Sequence, residues 1–220
     1  MKPYPKYKDS GVEWIGEVPE HWEVMRLKYV AKTVQTGTTP SSLNQEYFID
    51  GEIDWFTPVD FGDSLFLSNS NRKLNRLAID DNVIRLYTSN TVLLVGIGAT
   101  LGKVGIIKRT ASSNQQINAI SFKDDYNPDF GAYYFQAISD IIVSMSNAAT
   151  PPILNKTQTK EIMVLVPPQK EQDEIVGFIN QTATKIDQTI SNIKKQIDLL
   201  KEYRTALISE VVTGKIDVRT

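Results

Sequence analysis

Residues 169–213 read QKEQDEIVGFINQTATKIDQTISNIKKQIDLLKEYRTALISEVVT, and this stretch decides the architecture because it holds no proline and a single glycine, Gly177. Its stripe positions Ile175, Ile179, Thr182, Ile186, Ile190, Ile193, Ile197 and Leu200 are spaced 4, 3, 4, 4, 3, 4 and 3 residues apart, close to the 3.6-residue period of an α-helix. Glu171, Asp173 and Glu174 fall in the first turns, where the helix dipole favours acids, and Gly214 follows as a C-terminal stop. A helix from about Gln169 to Thr213 is about 65 Å long at 1.5 Å per residue. The shorter domain before it cannot cover that length. The rest of the stripe, continuing through Tyr203, Leu207 and Val211, therefore calls for burial against another helix, with folding back onto its own domain as the alternative.

Before the Pro167-Pro168 boundary the pattern changes to short apolar runs cut by turn signals. Strands are expected at 23–27, 53–57, 83–86, 91–95, 104–108, 117–122 and 162–166. One helix interrupts them: Asn127 is a cap, Pro128 opens the first turn, and Phe130, Tyr134, Ala137, Ile138, Ile141, Ile142 and Met145 form one apolar stripe. The expected fold class is α+β, a mixed domain over 1–167, one long coiled-coil-forming helix over 168–213 and a tail over 214–220.

Composition narrows the function. The 220 residues include no cysteine and one histidine, His21, so thiolate metal sites and disulfide frameworks are excluded and a histidine metal cluster is not expected. The lysines at positions 2, 6 and 8 precede no signal-peptide-like apolar core, and no run approaches a membrane span, so a cytoplasmic protein is expected. A formal charge of −2 gives no global attraction to nucleic acid; DNA binding must use local basic loops or a partner's charge.

The most enzyme-like segment, Gly96-Ile97-Gly98-Ala99-Thr100-Leu101-Gly102-Lys103, fails as a nucleotide loop. A dinucleotide fingerprint needs glycine at 101 and a P-loop needs glycine at 97 with Ser or Thr at 104, positions held by Leu, Ile and Val. The segment reads instead as a glycine-rich turn between strands, with Lys103 able to place a charge there. No Asn/Asp-Pro-Pro-aromatic methyltransferase tetrapeptide occurs: Pro151-Pro152 lies between Thr150 and Ile153, and Gln169 follows Pro167-Pro168. His21 lacks a second histidine or a nucleophile, and the acid pairs Asp80-Asp81 and Asp124-Asp125 read as solvated turns. No catalytic residue is expected.

Two polar stretches suit DNA reading, with ordinary solvated loops as the alternative. Ser68-Asn69-Ser70-Asn71-Arg72-Lys73-Leu74-Asn75-Arg76 sets Arg72, Lys73 and Arg76 among three asparagines, and arginine pairs bidentately with guanine or phosphate. Ser112-Ser113-Asn114-Gln115-Gln116 supplies Asn114, Gln115 and Gln116, amides that can read adenine.

Five ordered segments resemble the specificity subunit of type I restriction-modification systems. Residues from Gly11-Val12-Glu13-Trp14-Ile15-Gly16 through Pro19-Glu20-His21-Trp22 are similar to the start of a target recognition domain in that family. Gln35-Thr36-Gly37-Thr38-Thr39-Pro40 is like its early loop, and Gly98-Ala99-Thr100-Leu101-Gly102-Lys103-Val104-Gly105 with Ser113-Asn114-Gln115-Gln116-Ile117-Asn118 resembles its middle. Val166-Pro167-Pro168-Gln169-Lys170-Glu171-Gln172 is like the junction into the family's helix, and Val212-Thr213-Gly214-Lys215-Ile216-Asp217 like that helix's end.

The resemblance implies a non-catalytic DNA-binding domain that reads half of a split target, joined to a helix acting as a ruler to a second such domain. It assigns methylation with S-adenosylmethionine to a modification subunit and ATP-driven cleavage to a restriction subunit, leaving no cofactor here. The polar residues beside the matched glycines and Pro40, namely Thr38, Thr39 and Lys103, join the candidate contacts. A usual member has two recognition domains and two helices, so this chain reads as a natural half-subunit or as a truncated product; its family-like start and end favour the first. Two copies pairing through antiparallel helices would read an interrupted palindrome. The rival readings are the recognition part of a single-chain restriction-methylation enzyme and a coiled-coil interaction protein without DNA specificity.

Overall fold

Most of the expected strands form in the computed structural model, which describes residues 3–41, 44–146 and 152–219. Met1, Lys2, Thr150, Pro151 and Thr220, which enter the readings of the N-terminus, the Pro151-Pro152 pair and the tail, lie outside the described residues. Two units are formed, Met1–Asp173 and Glu174–Thr220.

The first unit opens with an antiparallel pair, β1 (Tyr7–Asp9) and β2 (Glu17–Pro19), followed by β3 (Glu23–Arg26), a single helical turn α1 (Leu27–Val30) and β4 (Ala31–Thr36). Next come β5 (Ile53–Phe56), β6 (Phe66–Leu67), β7 (Lys73–Leu74), the short α2 (Leu77–Asp80), β8 (Thr91–Val95), β9 (Val104–Ile107), β10 (Ser112–Ser113) and β11 (Ile117–Phe122). The unit closes with α3 (Pro128–Ala137), α4 (Ser139–Ser144), α5 (Lys156–Glu161), β12 (Met163–Val166) and the start of α6 (Gln169–Val212).

The main sheet has the order β4-β11-β8-β9-β6, antiparallel except for the β6–β9 pair. Every residue of β8 is buried, because both sheet faces are covered. Leu93 and Val95 join Phe56, Phe61, Ile107 and Ile117 in one core cluster, while α3 packs on β8 and β9. A second sheet, β10-β5-β7, has β5 at its centre; Trp55 turns toward a second cluster with Tyr47, Leu74, Ala78 and Ile84.

Three expectations are corrected. Residues 83–86 form no strand: Asn82 has a positive φ of 55°, Ile84 packs into the second cluster, and the Arg85 backbone N–H is taken by the Thr38 hydroxyl, leaving one isolated bridge between Tyr87 and Ala111. The expected single helix after Asn127 is two, because Ile138 leaves helical geometry (φ −100°, ψ 17°) beside Ser139, whose hydroxyl donates to the Gly102 carbonyl. Its Asn127-Pro128 start holds, the Asn127 side chain accepting the Asp129 and Phe130 backbone N–H groups. The apolar face also differs in part: Ala132 and Phe135 are buried, whereas Ala137 and Met145 are exposed. The glycine-rich segment is a β8–β9 hairpin loop, as expected. Gly96 is required there, since a Cβ would lie 2.7 Å from the Leu154 carbonyl oxygen.

α6 begins in the first unit, where its first turn is heavily anchored. Gln172 is fully buried, donates to the Pro167 carbonyl and accepts the Asn127 backbone N–H at 2.7 Å. In the second unit the helix continues unbroken to Val212. Gly214, at a φ of 74°, then stops it, the Lys215 N–H reaching back to the Glu210 carbonyl at 2.8 Å. Ile175 and Ile179 are half-buried, whereas Ile186, Ile190, Ile193, Ile197, Leu200 and Leu207 are exposed. No helix among the described residues is long and apolar enough to cross a membrane.

Candidate nucleic-acid interface

The three-stranded sheet gathers segments far apart in sequence. β10 runs parallel to β5, with Ser112 opposite Trp55 and Ser113 opposite Phe56, and β7 runs antiparallel to it, with Lys73 opposite Asp54. The Asn114-Gln115-Gln116 loop thus leaves one side of β5 as Arg72 and Lys73 approach the other.

The Gly37-Thr38-Thr39 turn closes onto the amide loop. Thr38 N–H donates to the Ser113 carbonyl at 2.9 Å, and the Thr38 carbonyl accepts the Trp55 indole N–H at 3.0 Å. The Thr39 hydroxyl donates to the Gln115 amide oxygen. Gly37 makes this closure possible, because a Cβ there would sit 2.1 Å from the Asn114 carbonyl oxygen and 2.4 Å from the Ser113 hydroxyl. Beneath the turn, the Tyr87 phenol lies 3.2 Å from the Ser113 hydroxyl; burial holds it above its ordinary range, with the Ser113 bond and the nearby Arg85 charge opposing.

The candidate residues differ in what they leave free. Asn114 is buried and its amide is spent on Gln116, donating from Nδ2 to Gln116 Oε1 at 2.8 Å and accepting the Gln116 N–H at 3.0 Å. Gln115 is exposed at the loop tip. The Arg72 guanidinium lies 3.9 Å from the Phe48 ring centroid and 5.4 Å from that of Trp55, within cation–π reach of both rings, while the residue stays exposed. Lys73 stands 3.9 Å from the Asp54 carboxylate. Arg76 is exposed at the start of α2. Lys103 is tied to a different place, donating to the Phe61 carbonyl at 2.8 Å from the β8–β9 loop.

Sequence reading missed Arg85 and Arg109. Arg85 donates to the Thr36 carbonyl at 2.8 Å and so staples residues 36–38, while Arg109 pairs with Asp54 and reaches Asn69 at 2.7 Å. Arg85 is a lone cation between Ile84 and Leu86, Arg109 follows Lys108 just after β9, and only the long-range strand order gives either a role. Among the described residues, no group of three or more His, Asp or Glu side chains is placed to hold a metal ion.

Comparison with known proteins gives the same fold. The chain is 29% identical over 197 residues to the type I restriction enzyme MjaIX specificity subunit of Methanocaldococcus jannaschii, covering 88% of this chain and 44% of that protein. It is 24% identical to the HindI specificity subunit of Haemophilus influenzae, covering 90% and 42%. The chain thus spans less than half the length of these curated relatives. Among solved structures it superposes on a chain of a type I R-M system with a TM-score of 0.68 at 17% identity, covering 93% of this chain and 48% of that one. For the HsdS subunit of Thermoanaerobacter tengcongensis the TM-score is 0.62 at 17% identity, covering 82% and 41%. Residues 19–199 match the type I restriction modification DNA specificity domain, and the chain belongs to that family.

Proposed function

We propose that this chain is a non-catalytic DNA-reading module of a type I restriction-modification complex, recognising one half of a bipartite target in the cytoplasm. The observation that carries the reading is that both candidate segments flank β5: on one side the exposed Gln115 amide at a loop tip, its oxygen held by the Thr39 hydroxyl, and on the other the exposed Arg72 guanidinium lying against the Phe48 and Trp55 rings. An amide and a guanidinium are the groups that pair bidentately with adenine and guanine edges in the major groove. Arg76, exposed at the start of α2, supplies a cation for phosphate, and Asn114 and Gln116 hold the loop's shape.

Modification and restriction subunits are the expected partners. S-adenosylmethionine and ATP are assigned to them, in keeping with the failed nucleotide and methyltransferase motifs. Two copies pair through residues 169–213 in an antiparallel arrangement, and identical readers on a two-fold axis prefer inverted half-sites with a spacer set by helix length.

The test is co-expression with the modification subunit, followed by mapping the genomic adenines that become methylated. An interrupted palindrome is expected. A motif with unrelated halves overturns the homodimer, and unchanged methylation without this chain overturns the DNA reading.

A further inference from the structure

One buried charge beneath the candidate face serves neither core. Asp54, 1% exposed, sits on β5, where its Oδ1 accepts the Ser70 backbone N–H at 2.9 Å and lies 3.9 Å from the Lys73 ammonium, while its Oδ2 makes the closer pair, with the Arg109 guanidinium. Arg109 also bonds the Ser68 carbonyl and the Asn69 side-chain oxygen. The Ser70 hydroxyl in turn accepts the Trp55 backbone N–H at 3.0 Å. The carboxylate and its arginine thus hold residues 68–70 against β5, two residues before Arg72.

A hydrogen-bonding neutral side chain could satisfy Ser70 alone, and a buried ion pair is a poor device for stability, since apolar replacements of similar volume often do as well. Stability alone thus gives no reason for a full charge at this position. The Arg109 side chain is 51% exposed, so without its partner it could reach a nearby polyanion. Every cation that reaches a phosphate adds attraction regardless of sequence.

We propose that Asp54 is a positioning residue of the DNA-reading face that withholds the Arg109 charge from the phosphate backbone while fixing the approach to Arg72. This rests on the DNA-recognition reading above. The consequence is that Asp54 raises the ratio of target to non-target binding by suppressing the sequence-independent part.

The experiment uses the complex with the modification subunit and measures affinity across a salt series for a target duplex and a scrambled duplex. Asp54→Asn should steepen the dependence of log affinity on log salt by about 0.9, the value for one added phosphate contact. It should also tighten binding to the scrambled duplex more than to the target. Asp54→Glu, which keeps the charge, should stay near the wild-type slope, and Arg109→Gln should leave the slope unchanged, because that charge is already spent. An unchanged slope in a folded Asp54→Asn complex overturns the proposal. A slope reduced by about one in Arg109→Gln overturns it as well, and decides the matter if Asp54→Asn does not fold. A wild-type complex that does not distinguish the duplexes overturns the DNA reading itself, and the role of Asp54 falls with it.

Discussion

The reading face and the long helix handle their surfaces in opposite ways. Around β5, polar groups are paired inside the unit, Thr38 with Ser113 and Trp55, Asn114 with Gln116, Asp54 with Arg109, the buried Ser112 hydroxyl being an exception. Along α6 the apolar positions remain open, Ile186, Ile190, Ile193 and Ile197 between 44% and 53% exposed and Leu200 at 65%. The face is held in shape by these internal bonds. The helix carries an unmet demand, since a row of apolar side chains in water gains by being covered.

The largest expected effect breaks that demand. Ile190→Lys with Ile193→Lys places four charges in a two-fold pairing of helices. With about 1.5–3 kcal/mol for fully burying an isoleucine and about half of each already covered, the loss over four isoleucines is roughly 3–6 kcal/mol. Sedimentation should show the proposed dimer replaced by monomer, while thermal unfolding of the first unit stays near wild type. Monomeric wild type under the same conditions would instead assign the stripe to another occupant.

The next effect strikes the face at its tightest point. Gly37→Ala would force a Cβ to within 2.1 Å of the Asn114 backbone oxygen, so the turn or the amide loop must move. Overpacking of this kind costs about 1–3 kcal/mol, read as a lowered melting temperature. Because Thr39 and Gln115 sit on the turn and the loop that part, target preference should change along with stability, whereas the helix double variant should leave it intact on a half-site duplex.

What the sequence disclosed follows the same divide. The helix was legible because its signal is local: a 3.6-residue period, acids at the start and Gly214 at the end need no knowledge of the rest of the chain. The strands at Thr91–Val95 and Ile117–Phe122 were legible as apolar runs. β4 was not, because Lys32, Thr33, Gln35 and Thr36 mask a strand that holds its place by pairing with β11. β6, β7 and β10 are two residues each and exist only through their partners. Within the candidate face, residue types pointed to Arg72 and to the 114–116 amides. The link from Gly37 to Asn114, the ring pair around Arg72 and the Asp54–Arg109 charge pair depend on contacts spanning tens of residues, which no spacing rule reports.

A smaller effect sharpens the picture of the face by separating a reader from a scaffold. Gln115→Ala removes an exposed amide whose one described tie is to Thr39, so folding should stay near normal. If Gln115 reads a base edge, selectivity at a single target position should fall by about 1–3 kcal/mol, measured by competition among duplexes differing at that position. Asn114→Ala should do the reverse, lowering stability by unmaking the loop's internal bonds and blurring all positions together. Unchanged preference in Gln115→Ala would move the reading role elsewhere on the face.

The smallest expected effect lies where the first turn of α6 joins the first unit. Glu171 accepts hydrogen bonds from the Trp22 indole N–H at 2.8 Å and from Tyr4, and His21 Nε2 stands 2.7 Å away. Burial alone would raise its pKa, but the Trp22 and His21 bonds, the His21 charge and Tyr4 together hold it below the usual glutamate range. A carboxylate depressed in the folded state binds protons less readily than in the unfolded chain, so stability rises with pH across its titration. The contribution is complete above the ordinary glutamate value and is lost as pH falls through the depressed one. For a partly exposed cluster of this kind about 0.2–1 kcal/mol is at stake. Wild type should therefore melt higher than Glu171→Gln at neutral pH, and the gap should close as the acid limb is descended. A gap independent of pH would mean that the clasp works through shape alone and that the Glu171 charge contributes nothing to it.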